Sequence, residues 1–374
     1  MDDFSLLKKL VYQGLAKKID NATDLFLDRL SLELDSIQKS NNSEYFLLSA
    51  NIADVCNNLG FLRSPGRGSS ASSLVNYCLD ITKINPLEED LIFERFFNLS
   101  RTRVADIDID IAQGCTDNLF IELKRRLPNC DINQELSQIN GSQFDIFERP
   151  FLSILNRISK QLKSEFHPYN IDLTDSAVFD FIIENDLSNI FLLENNSFAK
   201  VVKNFEPESI SDLSIMNSLF LPKSLKEIDK ITQNKLCGYD MEFRNDNRVN
   251  ILLEETYGMI VYQETFMHLA NQIAGMDMNL ADIYRRVFVK NNDAEKIKQF
   301  ENDFKKGCID NSNLSNLEIE KLMAMILKSA PISFNKSYAI SYTIFAYWGA
   351  YYKTHFRKEF DECFSTKEKP EVAF

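Results

Sequence analysis

With 374 residues, 44% hydrophobic and 26% charged, the chain can bury one large core or two moderate ones and lacks the composition of a disordered protein. A net charge of −13 argues against a protein that wraps duplex DNA unaided, because grip on a polyanion comes largely from Lys and Arg displacing counterions from its phosphates. No segment approaches the ~20 apolar residues of a membrane span, MDDFSLLKKL lacks the order of a secretory signal, and seven cysteines without a C-x-x-C suggest neither a disulfide framework nor a zinc cage; the expectation is a cytoplasmic protein with reduced thiols and no membrane partner.

Apolar periodicity predicts helices near 4–18, 24–39, 44–59 and 72–80, and alternation predicts strands around 103–112 and 142–147. These make residues 1–160 a mixed α/β domain. The periodic segments that follow, among them RVNILLEETYGMIVYQETFMHLANQIAG, AEKIKQFENDFKKG and YTIFAYWGAYYKTHF, predict a helical domain over 161–362, with 363–374 as a flexible tail. Trp348 and its aromatic neighbours recur at helical spacing and read as core.

Two stretches carry chemistry. In PGRGSSASSLVNY, the backbone N–H groups around Gly66 and Gly68, the hydroxyls of Ser69, Ser70, Ser72 and Ser73, and the Arg67 guanidinium form an anion nest that leads into an apolar helix, a seat suited to a nucleoside triphosphate. In VADIDIDI, a period of two puts Asp106, Asp108 and Asp110 on one strand face and isoleucines on the other. Adjacent carboxylates of this kind suit a pair of Mg2+ ions, which prefer oxygen ligands and assist in-line displacement at phosphorus, with Mn2+ as a substitute. Basic residues gather at Lys124–Arg126, at Arg285, Arg286 and Lys290, and from Lys353 to Lys358, enough to serve a small anionic substrate.

The order of the glycine-serine loop, FERF, the D-x-D strand, YGMIVYQETF through YRRVFVKN, and SFNKSYAISYTIF resembles the palm and fingers of bacterial DNA polymerase III alpha subunits, the C-family polymerases, whose palms are related to polymerase beta-type nucleotidyltransferases. The resemblance implies an α+β fold, with a palm built on a small mixed sheet and a mostly helical fingers-like domain. It implies that Asp106, Asp108 and Asp145 are the catalytic metal ligands, that Asp110 is structural, and that Gly66, Arg67, Gly68, Ser69, Ser70, Arg101, Arg285, Arg286, Lys290 and Lys336 surround the nucleotide. Gln143 stands where a lysine is expected before Asp145, and Glu148 and Arg149 replace a glycine turn. Between the D-x-D strand and Asp145 the family's thumb is missing; its amino-terminal phosphoesterase and carboxy-terminal modules are also expected to be absent, so neither proofreading nor unaided processivity is expected.

The reading that follows is a Mg2+-dependent nucleotidyltransferase, DNA polymerase-like, adding nucleotides from an NTP or dNTP to a short, single-stranded or protein-linked acceptor, with or without a template. Its nucleic-acid acceptor would be weakly bound, and a protein partner or a second copy of the chain would supply further grip. The alternatives are an accessory subunit that depends on a partner for DNA, or an inactive paralogue kept for binding. Repair, a mobile element and antiviral defence all remain open as settings.

Overall fold

In the computed structural model, residues 2–101, 106–240, 242–290 and 293–365 are described. They fold as α+β. One compact unit comprises the chain up to Phe181, Leu187–Glu194 and the stretch from Ser341 onward; a second comprises Ile182–Asp186 and Asn195–Ile340.

The first unit opens with three helices close to their predicted limits, α1 (Asp3–Lys18), α2 (Asp24–Lys39) and α3 (Ser43–Asn58). Asp2 caps α1 by accepting from the Ser5 N–H at 2.7 Å, and Leu7, Val11 and Leu15, four residues apart, form its buried stripe. The predicted helix over 72–80 is instead a 3-10 turn, Gly68–Ser72, followed by a short α4 (Leu74–Cys78), and Asp80 in a left-handed conformation (φ +62°) lies just beyond its end. A Cβ on Gly14 would lie 1.9 Å from the Cys78 carbonyl oxygen, so α1 reaches the backbone at the end of α4 only through glycine.

After α5 (Phe93–Phe96) come β1 (Asp108–Ala112), α6 (Thr116–Arg126), the small antiparallel meander β2 (Ile132–Asn133), β3 (Gln138–Ile139) and β4 (Ser142–Gln143), then β5 (Asp145–Arg149) and α7 (Pro150–Gln161). The strand expected over 103–112 is observed from Asp108; residues 102–105 lie outside the described residues. The strand expected over 142–147 is two, β4 and β5, with Phe144 buried between them. β1 and β5 pair in parallel, which requires a long crossover, here α6 and the meander. Ile107, Ile109 and Ile111 are buried in one core with Phe46, Phe93, Phe120 and Phe144.

The remaining helices are α8 (Ser176–Glu184), α9 (Asn196–Phe205), α10 (Ile210–Leu219), α11 (Ile228–Cys237), α12 (Asn247–Glu254), α13 (Gln263–His268), α14 (Met278–Lys290), α15 (Ala294–Asn311), α16 (Asn316–Ser329), α17 (Lys336–His355) and α18 (Arg357–Ser365). The second unit packs around Phe266, Tyr284, Phe288 and Phe300. The long periodic segment from Arg248 is broken between α12 and α13, where Tyr257 (φ +52°) and Gly258 (φ +79°) turn the chain into a bridge of Tyr262 with Phe334. Cys363 to Ser365, expected in the tail, complete α18 with Cys363 buried, and the tail from Thr366 lies outside the described residues. All seven cysteines are free thiols.

Candidate active site

Alternation along β1 and β5 sends Asp108 and Asp110 to the face that also carries Asp145, Phe147 and Arg149. The register pairs Asp108 with Asp145 and Asp110 with Phe147. Neighbouring strands lie ~4.8 Å apart, so this register alone makes two carboxylates adjacent. Asp106 joins them: one oxygen from each of Asp106, Asp108 and Asp145 lies within 4.8 Å of the others. Burial, and then the neighbouring Asp106, push the Asp108 carboxyl up to about 6; Arg67 opposes this, while Asp145 and Asp110 add to it. Gln143, the residue in place of the expected lysine, donates to Asp145 at 3.3 Å, and Tyr45 of α3 stacks on Phe144 (5.0 Å) while its hydroxyl accepts from the Ile107 N–H at 3.0 Å, fixing the approaches to both strands.

Asp110 is placed differently. Its side chain is fully buried and accepts from Arg67 (2.7 Å), Arg149 (2.9 Å), Tyr342 (3.1 Å) and Ser64 (3.3 Å).

The glycine-serine loop reaches this face because the residues before it pair with β1. Arg63 bridges Ile111, the Ala112 N–H donates to the Leu62 carbonyl at 3.1 Å and the Ser64 N–H to the Asp110 carbonyl at 3.2 Å. Gly68 then turns with φ +58°, and a Cβ there would lie 3.6 Å from Asp108 Oδ2. Loop and carboxylates therefore line one site. Ser70, Ser72 and Ser73 are completely buried, whereas Ser69 is partly exposed, so the hydroxyl nest expected from the sequence is largely turned inward. Ser70 donates to the Arg67 carbonyl at 2.7 Å, shaping the turn. Gly66 packs tightly: a Cβ on it would meet Ala71 Cβ and Ser341 Oγ, each at 3.1 Å.

What holds the loop was missed in the sequence. Glu33 of α2 is fully buried and accepts from the Ser73 hydroxyl (2.7 Å) and from the Leu74 and Val75 N–H groups (2.9 and 3.0 Å), serving as the anion at the start of α4. Arg29 pairs with it at 2.7 Å and donates to the Ser72 and Leu91 carbonyls. The available signal was position: Glu33 lies three after Leu30 and four before Ile37, inside the apolar stripe of α2.

Comparison with known proteins places these features in one family. The bacterial DNA polymerase III alpha NTPase domain matches residues 5–127, and the finger domain of the same subunit matches residues 151–312. The chain belongs to the DNA polymerase III alpha family. It is 26% identical to the DNA polymerase III subunit alpha of Ureaplasma parvum, over 95% of this chain and 49% of that one. For the subunits of Thermotoga maritima and Bacillus subtilis the identities are 24% and 23%, over 92% and 95% of this chain and 47% and 42% of theirs. The chain thus spans less than half the length of these curated relatives. Asp106 and Asp108 fall within the first matched span, while Asp145 lies between the two.

Of the other residues that the family resemblance singled out, Arg101, Arg285 and Lys336 are held by local partners. Arg101 donates to the Glu94, Arg95 and Phe96 carbonyls (3.0, 3.0 and 2.9 Å), closing the end of α5. In the second unit, Arg285 is buried against Asp282 (2.7 Å) and Gln263 (3.1 Å), and Lys336 is buried against Glu255 (2.8 Å). Arg286, 3.7 Å from Asp282, and Lys290 lie four residues apart on α14 and face outward together. Of the other basic clusters, Arg125 and Arg126 pair with Glu122 and Asp54, and Lys353 is buried with its ammonium on the Ser188 carbonyl at 2.6 Å. Trp348 is buried beside Tyr169 and Phe345, a core residue as its spacing predicted.

Proposed function

We propose that the chain is a DNA polymerase-type nucleotidyltransferase that uses Mg2+ and a nucleoside triphosphate and adds nucleotides to a short, single-stranded or protein-linked acceptor. The observation that carries this reading is the convergence of Asp106, Asp108 and Asp145 beside the Gly68 turn. The donor set is carboxylate oxygen alone, without Cys or His, which fits a hard divalent cation that keeps some of its coordination for substrate phosphates. When bound, the metal supplies charge compensation at phosphorus and lowers the pKa of the attacking hydroxyl.

The chain's own residues divide the remaining work. Asp106, Asp108 and Asp145 hold the cation, and Gln143 orients Asp145. Gly68 leaves room for a phosphate to approach Asp108, and Arg67, anchored by Asp110, brings positive charge to within 3.7 Å of Asp108. In the second unit, the half-exposed Arg286 and the exposed Lys290 are candidates for phosphate contacts of their own. The acceptor reading is supported by the crossover from β1 to β5, one helix and three two-residue strands in place of a thumb, and by the net charge of −13.

The test is incubation with each labelled nucleoside triphosphate, with and without Mg2+, against no acceptor, a single strand and a primed duplex. Incorporation on the short or single-stranded acceptor is expected. Incorporation confined to primed duplex and copying its sequence would overturn the acceptor assignment; neither incorporation nor pyrophosphate release in any arm would overturn the enzymatic reading.

A further inference from the structure

Just beyond α4, in its left-handed conformation, Asp80 is shared by three cations: Lys18 Nζ lies 2.9 Å from its carboxylate, Lys83 Nζ 2.7 Å and the buried Arg63 guanidinium 3.3 Å. Among the described residues, none of the three forms a second ion pair. Their other acceptors are neutral. Lys18 donates to the Tyr77 carbonyl at 2.6 Å, and Arg63 donates to the Ile81 and Asp80 carbonyls at 2.9 Å and to the Asn57 amide oxygen at 3.1 Å. Nε of Arg63 is buried with no acceptor.

Three positive charges thus face one negative charge, a surplus of two. Against its own burial, Asp80 is held well below the usual carboxylate range by Lys18, Lys83 and Arg63. Burial, and then the Arg63 guanidinium, pull the Lys83 ammonium down to about 8 in spite of Asp80. Partly buried cations that outnumber their counter-ions cost free energy until another anion compensates them. The cluster is open to such an anion, because Lys18, Lys83 and Asp80 keep 22%, 20% and 30% of their side chains exposed.

Beside it lies a cavity of about 550 Å³ between α1, α3 and the end of α4, a volume suited to a nucleotide-sized molecule. Lys18 and Asp80 line it together with the exposed Lys17 and the apolar Leu47 and Leu79; Asp54, the other acid in its wall, is paired with Arg126. No wall residue comes from β1, β5 or the glycine-serine loop, so the cavity is separate from the converging carboxylates.

We infer that this cavity is a second anion site, which takes a small molecule bearing a phosphate monoester, with the phosphate on Lys18 and Lys17 and the organic part against Leu47 and Leu79. A phosphate monoester carries a charge of about −2 near neutral pH and so matches the surplus, whereas each internal phosphodiester of a nucleic acid brings a single charge. Lysine ammonium groups serve such a ligand as point charges.

The test is calorimetric titration in EDTA, which leaves the converging carboxylates free to repel anions, of the parent, Lys18→Gln, Lys83→Gln and Asp145→Ala. The probes are adenosine monophosphate, inorganic phosphate, adenosine and a short oligonucleotide without a terminal phosphate, with thermal unfolding as the check on folding. Adenosine monophosphate should bind the parent more tightly than inorganic phosphate does. Lys18→Gln should weaken both about tenfold or more, Lys83→Gln should weaken them less, and Asp145→Ala should leave them at parent values. No saturable binding of adenosine monophosphate to the parent overturns the site, as does affinity within twofold of the parent in Lys18→Gln or an equal loss in Asp145→Ala. Oligonucleotide affinity that falls with Lys18 in the same proportion overturns the monoester assignment, and inorganic phosphate binding as tightly as adenosine monophosphate overturns the part given to Leu47 and Leu79. A measurement on the parent alone covers a variant that does not fold: adenosine monophosphate should protect Lys18, and not the exposed Lys124, from acetylation, and the absence of protection overturns the site.

Discussion

Asp108→Asn should stabilise the metal-free protein at neutral pH and lose that advantage in acid. Burial and neighbouring carboxylates raise Asp108 from an ordinary 3.8 to about 6, so the folded state disfavours its ionised form. A carboxyl raised in this way costs stability above about pH 6, where it must be charged in the fold, and costs nothing below about pH 4, where it is protonated in both states. The rise corresponds to about 3 kcal/mol at 1.36 kcal/mol per pH unit. Because Asp108 keeps a quarter of its side chain exposed and has Arg67 beside it, screening reduces this to about 1–2 kcal/mol, a rise of a few °C in Tm. The assay is thermal unfolding of parent and variant in EDTA at pH 7.5 and pH 3, repeated at pH 7.5 with Mg2+. The variant should be the more stable at pH 7.5 in EDTA, equal to the parent at pH 3, and unresponsive to Mg2+. A variant less stable than the parent at pH 7.5 in EDTA would show that the Arg67 ion pair outweighs desolvation, and would refute the reasoning.

Asp110→Ala should behave oppositely to substitution at the three converging carboxylates: it leaves two guanidinium groups around a vacated buried site, and denaturant unfolding should show a loss of about 3–5 kcal/mol. Glu33→Gln replaces one of two accepting oxygens by an NH2 that would face either the Leu74 or the Val75 N–H and removes the charge that pairs with Arg29; a loss of about 3 kcal/mol is expected, with triphosphate affinity falling as α4 and the loop before it loosen. Gly68→Val forces a β-branched residue to φ +58° at a strain of about 1–2 kcal/mol, and its side chain extends toward Asp108, so nucleotide titration should show binding lost from a protein that still unfolds cooperatively.

Local signals made much of the fold legible. The stripe Leu7, Val11 and Leu15 and the alternation of Asp with Ile from 106 to 111 each report one face, and both faces are where the residues put them. The helices at 24–39 and 44–59 were equally clear. What the sequence hid was decided by partners distant in the chain. Glu33 stands out by its place in the apolar stripe of α2, but its partners, the Leu74 and Val75 N–H groups, arrive only 41 and 42 residues later. The break at Tyr257 and Gly258 closes locally on the Glu254 and Leu253 carbonyls, but the extended stretch after it is set by pairing with Phe334. Arg67 and Asp145 could be found by motif, but not that Arg149 would share Asp110 with Arg67, because alternation tells which face a side chain takes and not which neighbour it meets.

The pairing of Asp108 with Asp145 separates two kinds of tolerance to change in chain length. A single residue inserted into or removed from β1 or β5 would exchange the two faces of that strand beyond the point of change, delivering isoleucine to the site and aspartate to the core. The turns of the connection between the strands are not bound by that alternation. The turn of the β2–β3 hairpin, Gln134–Ser137, carries an exposed Leu136 and is set apart from the β1–β5 ladder, so it could be lengthened to carry a reporter or a whole appended module. The same freedom offers a way to graft an added nucleic-acid grip onto this scaffold without disturbing Asp108 or Asp145.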